Sequence, residues 1–295
     1  MRFALAVILG RLVRFAGKFI GRSTTLPGRI ALRLDHAFLK KMKFDGKVIA
    51  VTGSNPFKAY YALLQGGGLA PKSSYASYKS MLTDFMSYVN YFTPMIFAAL
   101  AVAVALRAGL FNIGVSGQML AAGFTASIVV GYSSLNAVLA KPLVVIIGLI
   151  VGGLVGALIG FLKYRFNINE VVSSIMLNYT FQYVISFFIN TFFVDPVSRQ
   201  SKEISAASRL TLMDTMVGNL KMDIPLGIIL ALLTVVAVWF LLEKTKLGYE
   251  LKAVGYSRSA AKYAGIKVGR SMVLSMTISG ALAGLAGVTY YLGYV

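Results

Sequence analysis

Residues 142–162 read PLVVIIGLIVGGLVGALIGFL, a run of 21 positions without a charge. The hydrocarbon core of a bilayer is about 30 Å thick, and a helix crosses it in roughly 20 apolar residues. The stretch therefore predicts a membrane-spanning helix, and it sets the class of the whole chain. Working outward, Val89–Leu106, Val171–Val194, Ile224–Leu242 and Ser271–Val295 pass the same test. A sixth uncharged run, Ala108–Gly131, reads differently. It opens with Gly109, Asn112, Gly114, Ser116, Gly117 and Gln118 before it turns apolar. A polar, glycine-punctuated start predicts a broken or re-entrant helix enclosed by its neighbours. The expected fold is all-α: a polytopic transmembrane helical bundle of about five to six spans.

Composition agrees. Of 295 residues, 57% are hydrophobic and 13% are charged, too few charges to cover a soluble domain. Mean hydropathy is +0.74. The absence of cysteine excludes a disulfide framework and a thiolate metal site. A single histidine, His36, leaves little material for zinc or for a histidine-based triad. No catalytic residue, metal ligand or cofactor is assigned. The net charge of +19 does not point to nucleic acid, because of where it lies. Residues 1–53 hold 11 Lys/Arg against two Asp/Glu, and most of the rest sits in short segments between apolar runs. That is how a membrane protein carries its cytoplasmic charge, and the partner it implies is membrane lipid.

Small residues recur at intervals of four in two runs: Gly152, Gly156 and Gly160 in one, Gly280 and Gly284 in another. Such spacing lets helix backbones approach closely in lipid, so these positions are expected to pack helices. Orientation follows from the basic residues. Lys244, Lys246, Lys252, Arg258, Lys262, Lys267 and Arg270 crowd one loop, opposed by Glu243 and Glu250, which places it in the cytoplasm. Lys163 and Arg165 fall on the same side, and loop 195–223, with balanced charge, falls outside.

Arg11, Arg14, Lys18 and Arg22 recur at spacings of three and four, with Phe3, Leu5, Val7, Leu12, Phe15 and Phe19 covering other faces. This predicts an amphipathic helix lying in the membrane interface, since a Lys or Arg at bilayer mid-depth costs on the order of 2.5–3.5 kcal/mol. Lys47–Val51 reads as a short strand leading into Thr52-Gly53-Ser54-Asn55. A phosphate-binding loop begins this way, yet Pro56-Phe57-Lys58 follows in place of Gly-Lys-Ser/Thr, so no nucleotide site is expected.

Ordered motifs run through the remainder. They are Asn55-Pro56-Phe57-Lys58-Ala59-Tyr60, then Arg107-Ala108-Gly109-Leu110-Phe111-Asn112-Ile113-Gly114 with Gly117-Gln118, and Asn169-Glu170-Val171-Val172-Ser173-Ser174 with Met176-Leu177-Asn178-Tyr179. Leu247-Gly248 through Ala253-Val254-Gly255, Ala260-Ala261, Tyr263-Ala264-Gly265-Ile266 and Ser279-Gly280-Ala281-Leu282-Ala283-Gly284 complete the set. Residues 55–295 thereby resemble the integral membrane permease subunits of ABC importers, in the branch serving nucleosides and simple sugars. Ser116 departs mildly, standing where such permeases often carry Glu. The resemblance implies a multi-pass protein of the bacterial plasma membrane that is not an enzyme. It moves nucleosides or related small neutral solutes beside an ABC ATPase subunit, a second permease subunit and an external substrate-binding lipoprotein. Coupling to the ATPase would fall on Gly255, Ala260, Ala261, Ala264 and Gly265 within loop 244–270. Asn112, Gln118, Asn178 and Gln182 are the expected lining of the translocation path, because amides suit a neutral solute better than an ion. Interhelical hydrogen bonding is the alternative use of these amides.

Residues 1–54 instead resemble the start of a Mur-ligase-like subunit that amidates the peptidoglycan precursor lipid II. The carriers are Arg2-Phe3-Ala4-Leu5-Ala6, Leu26-Pro27-Gly28-Arg29-Ile30-Ala31-Leu32 and Val48-Ile49-Ala50-Val51-Thr52-Gly53-Ser54-Asn55, whose last three residues fit either partner. The chain then reads as a fusion of a ligase-like segment, 1–54, with a permease domain, 55–295, shortened at its C-terminal end. The rival function is a non-transporting remnant, or a membrane-anchored fragment linked to peptidoglycan amidation.

Overall fold

The computed structural model describes residues 56–194, 201 and 204–293. The interfacial helix, the strand at 47–51 and the ligase-like segment expected at the N-terminus lie outside these residues. Two compact units divide the chain, 1–66 and 67–295. Within the first, the described part is the helix α1 (Pro56–Gly66).

The second unit is a helical bundle, as expected. Its spans are α2 (Met81–Arg107), α4 (Ala137–Phe166), α5 (Glu170–Phe188, prolonged by a wide π turn over Ile189–Phe193), α6 (Gly227–Lys244) and α9 (Val268–Tyr291). The shorter α3 (Val115–Ala126) continues through a π turn to Gly131, and α7 (Lys246–Tyr256) and α8 (Arg258–Tyr263) follow α6. Five helices of the described residues are thus long and apolar enough to cross a membrane.

Caps set several boundaries. Ser80 opens α2 nine residues before the apolar run begins, its backbone N–H donating to Thr83 Oγ1 at 2.8 Å. Asn167 closes α4 in the left-handed conformation at φ 52°, and Asn169 opens α5 by accepting from the Val171 N–H at 2.9 Å. One boundary corrects the sequence reading. Ile224 belongs to no span: it pairs with Leu212 in an antiparallel hairpin of β1 (Thr211–Val217) and β2 (Leu220–Pro225), turned at Gly218 with φ 64°. Hydropathy alone cannot separate an apolar strand residue from the helix that follows it.

The helix α9 is the hub. Some 72% of its apolar window is buried, against 17% for α5 and α6, and it packs on α4, α2 and α3. Glycine makes the approach to α4 possible. A Cβ on Gly152 would lie 2.7 Å from the Gly284 Cα, and one on Gly156 2.9 Å from the Gly280 Cα. Gly160 sits over Val273 and Met276 in the same seam. On another face of α9, a Cβ on Gly287 would come within 2.7 Å of the Met119 Cα of α3. Backbones this close gain dispersion contacts that lipid cannot supply. Two buried clusters flank the seam. Val104, Leu251, Val254, Ala261 and Met276 belong to one; Phe97, Ala122, Val144, Leu285 and Val288 belong to the other.

Candidate functional site

Between α2 and α3 the chain is not helical from Ala108 to Gly114, and it descends into the bundle. Irregular backbone at membrane depth must find its hydrogen bonds within the protein. The polar residues of this stretch and its neighbours supply them. Asn112 Oδ1 accepts from the Gly114 N–H at 2.9 Å, while Asn112 Nδ2 donates to Gln118 Oε1 at 3.0 Å and to Ser279 Oγ at 2.8 Å. Ser279 Oγ donates in turn to the Ala101 carbonyl at 2.6 Å, and Ser275 Oγ to the Val104 carbonyl at 3.2 Å. The chain of bonds thus ties α2, the break, α3 and α9 at one depth. Ser279 lies eleven residues into α9, about 16 Å along its axis at 1.5 Å per residue.

From the other side, α5 closes the break. Asn178 Nδ2 donates to the Ile113 carbonyl at 3.0 Å and its Oδ1 accepts from the Gly117 N–H at 2.9 Å. One amide therefore satisfies a carbonyl and an amide N–H that the interrupted helix leaves over. Gly117 is required for the approach, since a Cβ there would lie 2.9 Å from the Asn178 Cα.

Of the four amides expected to line a path, the structure brings three to the break. Asn112 and Gln118 are about 1% and 0% exposed, so neither borders open space within this chain; Asn178 is half-buried. Gln182 is not brought to them: it stands exposed on α5, one turn beyond Asn178. Ser275 carried no role in the sequence, and Ser279 stood only within the family motif. Their signal was the four-residue spacing Ser271, Ser275, Ser279, all buried on one stripe of α9.

The basic segment 244–270 is built onto one end of the same assembly. Thr245 ends α6 and caps α7, its Oγ1 accepting from the Gly248 N–H at 3.2 Å. Ser257 caps α8 likewise, accepting from the Ala260 N–H at 3.3 Å. Leu251, Val254 and Ala261 turn into the core beside Val104, Ala108 and Leu110. Gly255 lies against the elbow where α2 ends, where a Cβ would stand 3.1 Å from the Gly109 N. Gly109 itself has φ 66°, a conformation glycine adopts without strain, and Arg258 Nη2 reaches its carbonyl at 3.5 Å. Ala260, Ala264 and Gly265 are exposed while Ala261 is buried, so the small residues do not share one free face. What projects instead is aromatic: Tyr256 is 90% exposed and Tyr263 95%. The Lys163–Glu170 ion pair, at 2.9 Å, fastens the α4–α5 turn nearby.

At the other end, a recess of about 200 Å3 lies between α3, α5, the end of α9 and the segment around Ser201 and Ile204. Phe124, Tyr132, Phe193 and Tyr291 contribute to its walls, with the Tyr132 and Phe193 rings stacked at 5.7 Å.

Comparison with known proteins fits this architecture. Residues 85–295 match the family described as branched-chain amino acid transport system / permease component. The chain is 40% identical over 211 residues to the nucleoside ABC transporter permease protein NupB of Lactococcus lactis, covering 68% of this chain and 57% of that protein. It is 41% identical over 207 residues to the guanosine ABC transporter permease protein NupP of Bacillus subtilis, covering 70% and 59%. A glucose ABC transporter permease of Haloferax volcanii is 30% identical over 207 residues, covering 68% and 54%. The chain thus spans somewhat under three fifths of the length of these curated relatives. No solved structure matches it. With a matching family model over most of its length, and a broken helix sealed inside five apolar spans, this chain is a multi-pass membrane protein belonging to the permease family of ABC transport systems.

Proposed function

We propose that the chain is the permease subunit of an ABC importer for nucleosides or related neutral solutes. One observation carries the reading: the exposed Tyr256–Tyr263 segment is packed, through Gly255 and Arg258, onto the elbow of the broken helix. A push on α7–α8 from an ATPase subunit would reach Gly109, and from there Asn112 and the α2–α3–α9 joint. Gly255, Ala260, Ala261, Ala264 and Gly265 are the coupling residues in this reading, with Ala261 acting as the buried anchor. The substrate class rests on the names of the nucleoside and guanosine permeases that the chain resembles. The aromatic outer recess suits it, since a planar base stacks on Tyr and Phe rings. Asn112, Gln118 and Asn178 hold the joint, and Gln182 is the amide left to face the solute. A second permease subunit and an external binding lipoprotein complete the importer.

The test is uptake of radiolabelled guanosine by cells carrying the full chain with its neighbouring transport subunits, together with capture of the ATPase on the tagged chain. The expected result is uptake that Tyr263→Ala abolishes along with ATPase capture. Absence of both uptake and ATPase capture from the unaltered chain, with a glutamine amidotransferase captured instead, would favour the rival function, a membrane-anchored fragment linked to peptidoglycan amidation.

A further inference from the structure

Where α4 ends and α9 begins, a cavity of about 760 Å3 opens between Phe161 and Tyr164 on one side and Val273 and Leu274 on the other. The Tyr164 ring lies directly on the backbone of Gly269, where any Cβ would collide with it, so glycine shapes this wall. Lys262, Lys267 and Arg270 also border the cavity and are exposed. None of the three forms an ion pair among the described residues. The carboxylates of the same side are engaged elsewhere: Glu170 with Lys163, Glu243 with Lys252, Glu250 with Lys246. Three cations without an acidic partner among the described residues therefore stand over a largely apolar hollow, at the level where an inward loop would enter the membrane.

That combination selects its ligand. A soluble anion would satisfy the cations and leave the apolar walls unfilled; a neutral lipid would do the reverse. We propose that this cavity binds an anionic phospholipid of the inner leaflet, its phosphate held by Lys262, Lys267 and Arg270. Its acyl chains run along Phe161, Val273 and Leu274. The volume admits a phosphoglycerol headgroup with the first methylenes of its chains. Bound there, the lipid bridges α8 to the helices α4 and α9, which form the glycine seam. The proposal depends on the inward placement of residues 244–270 and not on which solute is carried, so it stands or falls apart from the transport reading.

The experiment uses the full chain in nanodiscs of phosphatidylcholine containing increasing phosphatidylglycerol, with retained lipid counted by native mass spectrometry. The unaltered chain is expected to retain phosphatidylglycerol in preference to phosphatidylcholine. Replacing Lys262, Lys267 and Arg270 together by Gln should weaken that retention roughly a hundredfold, each cation near an anionic surface being worth about a factor of five. Replacing Lys244 and Lys246 by Gln, on the same side but away from the cavity, should leave it within about threefold. Leu274→Trp, which keeps all three charges and fills the apolar hollow, should also lower retention. Equal melting temperatures in pure phosphatidylcholine show that the variants are folded. Equal retention by the unaltered chain and the triple variant overturns the site. Displacement of the lipid by millimolar glycerol phosphate overturns it as well, because the occupant would then be a soluble anion.

Discussion

Asn112 spends its entire amide on the break: one N–H on Gln118, the other on Ser279, and the oxygen on Gly114. In a membrane interior no water replaces a lost partner. Asn112→Ala strands three groups at once and should destabilise the bundle by about 1–3 kcal/mol, read as a drop in detergent melting temperature. Asn178→Ala should cost a similar amount, about 1–3 kcal/mol, because it uncovers the Ile113 carbonyl and the Gly117 N–H. Gln182, exposed on the same helix, gives the contrast. Gln182→Ala should stay within about 0.5 kcal/mol in stability and raise the KM for guanosine uptake; an unchanged KM removes Gln182 from the path. At this scale the sequence singled out the intramembrane amides. It did not show which would be consumed by the backbone, since Asn112 and Ser279 stand 167 residues apart.

At the scale of elements, the α4–α9 seam sorts glycines that look alike in the sequence. Gly156→Ala pushes a Cβ to within 2.9 Å of the Gly280 Cα, and neither backbone can yield alone. A cost of about 1–3 kcal/mol is expected from such overpacking. Gly153→Ala, three positions away, puts its Cβ at 3.6 Å from the Ala281 Cβ, an ordinary contact. It should be neutral or stabilising by up to about 1 kcal/mol, since alanine is the better helix former. Unfolding midpoints of the two variants in one detergent check the pair. Gly255→Ala tests a different joint: the added methyl would push α7 off the Arg107–Gly109 elbow. It should reduce uptake far more than it reduces ATPase capture, because the docking tyrosines are untouched. The four-residue spacing of Gly152, Gly156 and Gly160 was legible in the sequence. The identity of the partner helix was not, because spacing describes one face of one helix.

For the whole molecule, the charges predict the sidedness. Basic residues of loop 244–270 are expected to hold it inside, with Tyr256 in the cytoplasm and the 67–80 segment before α2 outside. The native chain lacks cysteine, so Ser74→Cys and Tyr256→Cys can each be labelled in intact cells with an impermeant thiol reagent. Position 74 should react at once and position 256 only after lysis. Protection of both would place residues 67–80 inside and sink the transport reading. Both side chains are exposed in the structure, so protection reports the membrane and not burial.

The sequence by itself determined that the chain lives in lipid, roughly where its spans lie, and that Ala108–Gly131 is interrupted. These follow from run length, charge and glycine content, which are local properties of a chain in a slab of fixed thickness. Only the tertiary structure decided that α9 is the hub, that Ile224 belongs to a hairpin, and that three of the four amides seal a break. It also brought Tyr164 and the basic residues of 262–270 around one cavity. Each of these depends on backbones from distant parts of the chain coming within a few ångströms. In lipid that approach is set by small residues and matched hydrogen bonds across helices, which no single run of sequence records.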